Sequence, residues 1–253
     1  KIVNFQKIQN ERIKLGLGKE TYSKHMVFYG PPGTGKSEIA RLVGRIFNSL
    51  GVLSQGHFIE TDRSSFVAGH IGQTAIKTKT ILDQALGGIL FIDEAYALTK
   101  NQENWDFGDE AISTILKYME DHRDDLVVIV AGYENEMNDF LSANPGLKSR
   151  FNSFLSFPNY TENELLQILI KLSRDRGYFI KTESEELLKN KLAKISEFRS
   201  SQFGNARSMR NLLEIAIKNQ ASRIMSKKIR NREDLQYLES EDFELNEDEY
   251  SNL

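Results

Sequence analysis

Eight consecutive residues, Gly30-Pro31-Pro32-Gly33-Thr34-Gly35-Lys36-Ser37, follow the spacing G-x-x-x-x-G-K-[ST]. Glycine has no Cβ, so such a run lets the backbone curl until several N–H groups converge on one anion, with nothing blocking its approach. Lys36 adds a full positive charge suited to the β- and γ-phosphates of a nucleotide. The Ser37 hydroxyl is a hard oxygen ligand of the kind Mg²⁺ prefers. Glu38 follows at the edge of the same candidate site, where a helix would bring the partial positive charge of its N-terminus. The plain alternative is a glycine-rich turn with a surface lysine, and the surroundings of the run argue against it.

A second group has matching chemistry. Ile89-Leu90-Phe91-Ile92 is apolar throughout and leads directly into Asp93-Glu94. A buried strand that ends in two acids places them at the carboxyl edge of an open α/β sheet, where ligands of such sheets bind. Successive strand residues point to opposite faces, which predicts separate jobs for the two. Asp93 is the candidate for holding Mg²⁺, largely through water, with Ser37 as the other protein oxygen. Glu94 is the candidate base that orients and polarises an attacking water. The gap of 57 residues from Lys36 to Asp93 has room for helix, strand and helix, so one extra strand is expected between the two motif strands.

The elements that must position these groups are legible as an alternation. Short apolar runs at Met26–Tyr29, His57–Thr61, Ile89–Ile92, Leu126–Ala131 and Phe154–Phe157 read as strands. Helical spacing fills the intervals at Glu38–Leu50, Thr74–Leu86, Asp109–Glu120 and Glu134–Ser142, with an amphipathic helix over 2–15 in front. Unbroken apolar strands between helices predict a five-stranded parallel sheet covered on both faces. After Pro158 the pattern becomes three helices, Glu162–Arg174, Ser184–Phe198 and Asn205–Met225, with no strand between them. Thr161 and Glu164 form a capping box that opens the first. The expected organisation is an α/β domain over 1–158 and a small helical domain over 159–253.

Composition removes several function classes. The chain has 253 residues, 40% hydrophobic, enough for a sizeable core. No apolar run approaches the ~20 residues that span a bilayer. There is no signal-peptide pattern, and because the first residue is Lys1 the natural N-terminus is expected to lie upstream. Cysteine is absent, which removes disulfides, thiolate metal sites and thiol chemistry and agrees with an expected cytoplasmic location. The net charge of −3 does not suggest a strongly basic nucleic-acid binder. Charge is uneven, however: 159–232 carries 16 basic and 8 acidic residues, and 233–253 carries 9 acidic and none basic, an acidic tail.

Taken in order, HMVFYGPPGTGKSEIARLVG, GGILFIDEAYAL, DLVVIVAGY, NPGLKSRF and FGNARSMRNLLE resemble the AAA+ ATPases. The likeness is to the branch that contains red-type Rubisco activase, stage V sporulation protein K and the type VII secretion ATPase. It covers roughly residues 2–225. The resemblance implies a P-loop NTPase sheet with a C-terminal helical lid, binding ATP and Mg²⁺ between subunits of a homo-oligomeric ring, usually a hexamer. It implies that Arg150 is the arginine finger for a neighbour's γ-phosphate, with Lys148 a weaker second cation. It implies that Arg207 is the lid arginine called sensor 2, with Arg210 one turn further on. Two places depart from the family pattern. The sensor 1 position falls in Ala131-Gly132-Tyr133-Glu134-Asn135, where Tyr133 and Asn135 both remain open. The peptide-gripping pore loop, usually aromatic–aliphatic–Gly, matches His70-Ile71-Gly72, with Phe66 as an alternative.

The leading expectation is therefore Mg²⁺-ATP hydrolysis that drives remodelling of an unidentified protein partner. A nucleotide-gated scaffold with slow hydrolysis is the second. A nucleic-acid motor is the third, kept open only by the basic cluster Lys227-Lys228-Ile229-Arg230-Asn231-Arg232.

Overall fold

The computed structural model describes residues 2–18, 23–68, 72–99, 107–197, 203–227 and 231–245. Five strands carry the apolar runs: β1 (Met26–Tyr29), β2 (Phe58–Thr61), β3 (Ile89–Ile92), β4 (Val127–Gly132) and β5 (Ser153–Ser156). All pair in parallel in the order β2-β3-β4-β1-β5. Parallel pairing needs crossovers, and helices supply them. These are α1 (Ile2–Lys14) ahead of the sheet, then α2 (Lys36–Ser49), α3 (Arg63–Phe66), α4 (Gln73–Ala85), α5 (Gly108–Asp121), α6 (Glu134–Ala143) and α7 (Pro145–Arg150).

The strand alternation divides the core into two layers. Val27, Leu90, Ile92, Val128 and Val130 face one way and pack with Leu82, Ile112, Ile115 and Phe140 of the covering helices. Met26, Phe28, Ile89, Phe91, Val127 and Ile129 face the other way and pack with Ala40 and Phe47 of α2. Both faces are covered, so the central strands read as unbroken apolar runs. Every residue of β3 and β4 is buried, whereas β5 at the edge leaves Phe154 and Leu155 exposed. The sequence places β2 between the two motif strands along the chain, but the sheet does not. There β2 lies outside β3, and the strand separating β1 from β3 is β4.

The chain divides into two compact units: Lys1–Gly30 with Gly35–Phe157, and Pro31–Thr34 with Pro158–Leu253. The second is built on α8 (Glu162–Asp175), α9 (Thr182–Glu197) and α10 (Ala206–Lys227). Leu165, Leu169, Leu188, Leu192, Met209 and Leu213 form its core. The capping box at its start is present: the Thr161 side chain accepts from Glu164 N–H at 3.3 Å, and Thr161 N–H donates to the Glu164 carboxylate at 2.7 Å. The expectation that no strand interrupts these helices is corrected. β6 (Phe179–Ile180) pairs in parallel with β7 (Tyr237–Leu238), which follows α11 (Arg232–Gln236). Two-residue strands leave no periodicity to read. Part of the acidic C-terminal run also belongs to this unit: Asp242 and Phe243, in a 3₁₀ turn over Ser240–Phe243, are buried. Among the described residues no helix is long and apolar enough to cross a membrane.

Candidate functional site

The sheet order explains why the two motifs meet. β4 is flanked by β1 and β3, with Tyr29 opposite Gly132 and Ile92 opposite Val130. The carboxyl ends of three neighbouring parallel strands therefore release the phosphate loop, the acid pair and the Tyr133–Asn135 segment along one edge. Gly30 N–H donates to Gly132 O at 3.1 Å, so the loop leaves the sheet still tied to β4.

Within the loop, the Lys36 ammonium donates to Gly30 O at 2.9 Å, folding the side chain back over the turn. The Thr34 hydroxyl donates to Pro31 O at 2.9 Å. Gly35 caps α2 with φ +88, a left-handed conformation that glycine adopts without a Cβ penalty, and the first helical amides follow it. Lys36 and Ser37 are half-buried on that first turn, and Glu38 is exposed. Gly33, φ +68, has a different reason to be glycine than the approach of an anion. A Cβ there would lie 1.9 Å from Gly204 O and 3.1 Å from Arg207 N.

The acids behave differently from a simple strand alternation. β3 ends at Ile92, so Asp93 and Glu94 occupy the turn beyond it. Asp93 N–H donates to Thr61 O at 2.8 Å, and the Asp93 carboxylate accepts Glu94 N–H at 3.0 Å. Glu94 has φ +47 and ψ +42, left-handed for a residue with a Cβ. That conformation costs an L-residue about 1–2 kcal/mol and concentrates at functional sites. The acids are thus separated by a backbone reversal and not by the pleat. In the 3₁₀ turn Ala95–Leu98 that follows, Ala95, Tyr96 and Leu98 are buried, and burial together with the nearby Glu94 charge pushes the Tyr96 phenol up to about 12. Tyr133, exposed, sits with its ring centre 6.2 Å from that of Tyr96, and Asn135 is exposed on the first turn of α6.

Arg150 closes α7, a helix that the apolar periodicity does not announce. The signal was present: Asn144 accepts Gly146 N–H at 2.8 Å and Pro145 takes the first helical position. Arg150 is about 29% exposed, and its Nη2 lies 3.5 Å from Glu120. Lys148 is exposed on the same helix. In the second unit, Arg207 and Arg210 are exposed on the first turns of α10. Asn205 and Tyr160, which no motif singled out, both hydrogen-bond to carbonyls of Pro31–Thr34. Of the pore-loop residues, His70 and Ile71 lie outside the described residues, Gly72 caps α4, and Phe66 is buried in α3.

The donor set suits Mg²⁺ held jointly with phosphate oxygens and water. Ser37 and Asp93 are single hard oxygen donors, and among the described residues no cluster of three or more His, Asp or Glu could hold a metal alone.

Comparison with known proteins agrees with this geometry. Residues 26–159 match the ATPase family associated with various cellular activities (AAA), and residues 161–252 match the AAA lid domain. Stage V sporulation protein K of Bacillus subtilis is 41% identical over 242 residues, covering 95% of this chain and 75% of that protein. Protein CbbX of Cereibacter sphaeroides is 42% identical over 221 residues, 87% of this chain and 70% of that protein. The chloroplastic ribulose bisphosphate carboxylase/oxygenase activase of Cyanidioschyzon merolae is 43% identical over 215 residues, 85% and 73%. The crystal structure of the FIGL-1 AAA domain in complex with ADP shares the fold, with TM-score 0.62 and 18% identity over 97% of this chain and 81% of that one. The phosphate loop, the acid pair and both matched domains thus agree: the chain belongs to the AAA family of ATPases.

Proposed function

We propose that this ATPase uses Mg²⁺-ATP turnover to remodel a protein partner, as a ring of identical subunits. The observation that carries the reading is the flanking of β4 by β1 and β3, which brings the phosphate loop and Asp93-Glu94 to one edge of the sheet.

Each residue then has a role. The N–H groups of Gly33, Thr34 and Gly35 cradle the phosphates, and Lys36 neutralises their charge. Ser37 and Asp93 would hold the metal, the second largely through water, and bound Mg²⁺ would supply neutralisation of the phosphate charge. Glu94 accepts a hydrogen bond from the attacking water and fixes its direction. Its left-handed backbone is braced by the hydrogen bond from its N–H to the Asp93 carboxylate. Arg150 serves the neighbouring subunit's site, and Arg207 acts as the lid arginine. His70-Ile71-Gly72 would grip the partner. The relatives' names span sporulation and Rubisco activation, so the shared element is the ATP engine, and the target is set by what the ring encounters.

The test is steady-state hydrolysis with ATP binding measured alongside. Glu94→Gln should abolish Mg²⁺-dependent turnover with ATP still bound, and equal rates in variant and parent would remove Glu94 from its role. Parent activity lost on dilution, and activity gained when inactive Arg150→Ala subunits are mixed with inactive Lys36→Ala subunits, each support a shared site. A mixture that gains nothing counts against the ring. A Glu94→Gln trap loaded with ATP, used as bait and read by mass spectrometry, identifies the partner.

A further inference from the structure

Three successive carbonyls of the phosphate loop are held by donors from residues after Pro158. Asn205 Nδ2 donates to Pro32 O at 3.1 Å. Ala206 N–H donates to Gly33 O at 3.1 Å. The Tyr160 hydroxyl donates to Thr34 O at 2.9 Å. All of these residues lie in the second compact unit, which includes Pro31–Thr34.

A trans peptide is planar, with its C=O and the next residue's N–H antiparallel. Fixing the carbonyls of Pro32, Gly33 and Thr34 therefore fixes the directions of the N–H groups of Gly33, Thr34 and Gly35. Those are the amides that the anion site needs turned the opposite way. The loop's own glycines make these peptides easy to flip, so an external hold has something to prevent.

Asn205 is suited to this task and to little else. It is fully buried with φ +49, a left-handed position that asparagine tolerates better than other residues with a Cβ. Its amide is used on both sides. Oδ1 accepts Tyr160 N–H at 3.0 Å, and Nδ2 also donates to Asn159 Oδ1 at 2.8 Å and to Phe203 O at 3.3 Å. Asn205 thereby sets Tyr160 as well as Pro32.

We propose that Asn205 and Tyr160 are positioning residues that orient the phosphate-binding amides by anchoring the opposite faces of their peptides. This rests on the reading of the loop as the ATP site. It assigns the helical unit a part in ground-state nucleotide affinity that does not pass through Arg207.

The test uses Tyr160→Phe, which keeps the ring and removes one donor, and Asn205→Gly, which keeps the left-handed backbone and removes the amide. ATP affinity is measured by titration calorimetry in the presence of Mg²⁺, with KM and kcat from hydrolysis. Each variant should bind ATP about fivefold more weakly, the effect of one ordinary net hydrogen bond. KM should rise in step, with kcat at saturating ATP kept within about twofold, the pattern of lost uniform binding. A purely structural role would instead lower kcat through loss of active protein and leave KM unchanged, and that result overturns the proposal. Parent-like affinity in Tyr160→Phe also overturns it, even if Asn205→Gly fails to fold. A parent chain that binds no ATP overturns the ATP-site reading itself; a parent that binds, with variants that bind equally, overturns the anchoring alone.

Discussion

Arg150 Nη2 and Glu120 Oε2 lie 3.5 Å apart, joining the last residue of α7 to the last turn of α5. Arg150 Nη1 also donates to Gly146 O at 3.4 Å, while its Nε is buried without a partner among the described residues. The Glu120 carboxylate is about 54% exposed, so the pair sits in high dielectric and contributes roughly 0–1 kcal/mol. Such a contact aims the arginine without trapping it. Glu120→Ala should therefore change turnover by less than about threefold, the scale of a surface pair. Arg150→Ala should lower kcat by at least about a hundredfold if the group meets a transition state in a neighbouring subunit. Arg150→Lys should rescue little, because the ammonium lacks the planar fork. Steady-state kinetics at a fixed subunit concentration checks all three. A Glu120→Ala effect as large as that of Arg150→Ala would place the pair in the fold and not in the chemistry.

Glu94 sits where glycine would be more comfortable. Replacing a left-handed residue by glycine removes strain of about 1–2 kcal/mol and adds back part of that in chain entropy. Glu94→Gly should therefore melt at or above the parent temperature, by up to a few degrees for a net gain near ~1 kcal/mol. It should also lose hydrolysis. Calorimetric melting and an ATPase assay on the same preparation check the pair of outcomes. A variant that melts well below the parent would show that the carboxylate is needed for folding.

The sheet and the two motifs were legible because their signals are local and strong. Ile89–Ile92 and Leu126–Ala131 have no polar interruption, and the loop glycines stand at fixed spacing. What was not legible depends on the third dimension. The placement of β4 between the motif strands is a matter of strand order, which no local pattern encodes. The pleat predicts separate jobs for Asp93 and Glu94, but both lie in the turn beyond β3, where a backbone reversal separates them. α7 was missed although Asn144-Pro145 announces a helix start. Asn205 looked like an ordinary helix-opening residue; only its contacts with Pro32 and Tyr160 single it out. β6 and β7 are too short to carry any period.

His25 predicts an acid limb in the stability profile. Its Nδ1 accepts Val128 N–H at 3.0 Å, which requires that nitrogen to be unprotonated. Burial, with Lys24 and Arg150 nearby, pushes the imidazole down from 6.5 to about 3. The unfolded chain therefore binds a proton below about pH 6.5 that the folded chain refuses until about pH 3. Stability from this group is complete above the upper value and falls as pH drops through the window, by up to about 1.4 kcal/mol per pH unit. His25→Gln should be less stable than the parent at pH 8 and should lose less on going from pH 6.5 to pH 4. Denaturant titrations across that range read the slope. Identical slopes in the two proteins would mean that other groups set the acid limb.

Arg223 and Asp242 make an ion pair in the helical unit, its carboxylate buried and its guanidinium largely so. Arg223 Nε and Nη2 each donate to an Asp242 carboxylate oxygen at 2.8 Å, and Glu239 N–H donates to the same carboxylate at 2.8 Å. Asp242 is about 1% exposed and Arg223 about 9%. The hydrogen bond to Asp242 holds the Arg223 guanidinium above its usual range, so it stays charged in this setting. Removing one partner leaves the other buried without its counter-charge, at a cost of about 3–5 kcal/mol. Asp242→Ala and Arg223→Ala should each destabilise the unit by that order, and Glu239 and Glu241, both within 4 Å of Arg223, should soften the loss more for Asp242→Ala. The double substitution Arg223→Met with Asp242→Leu should be milder than either single change, because it removes both desolvated charges at once. Urea unfolding of the parent, the double variant and its component singles Arg223→Met and Asp242→Leu measures the coupling. Strict additivity would show that the C-terminal turn is held by Phe243 and its apolar neighbours and not by the ion pair.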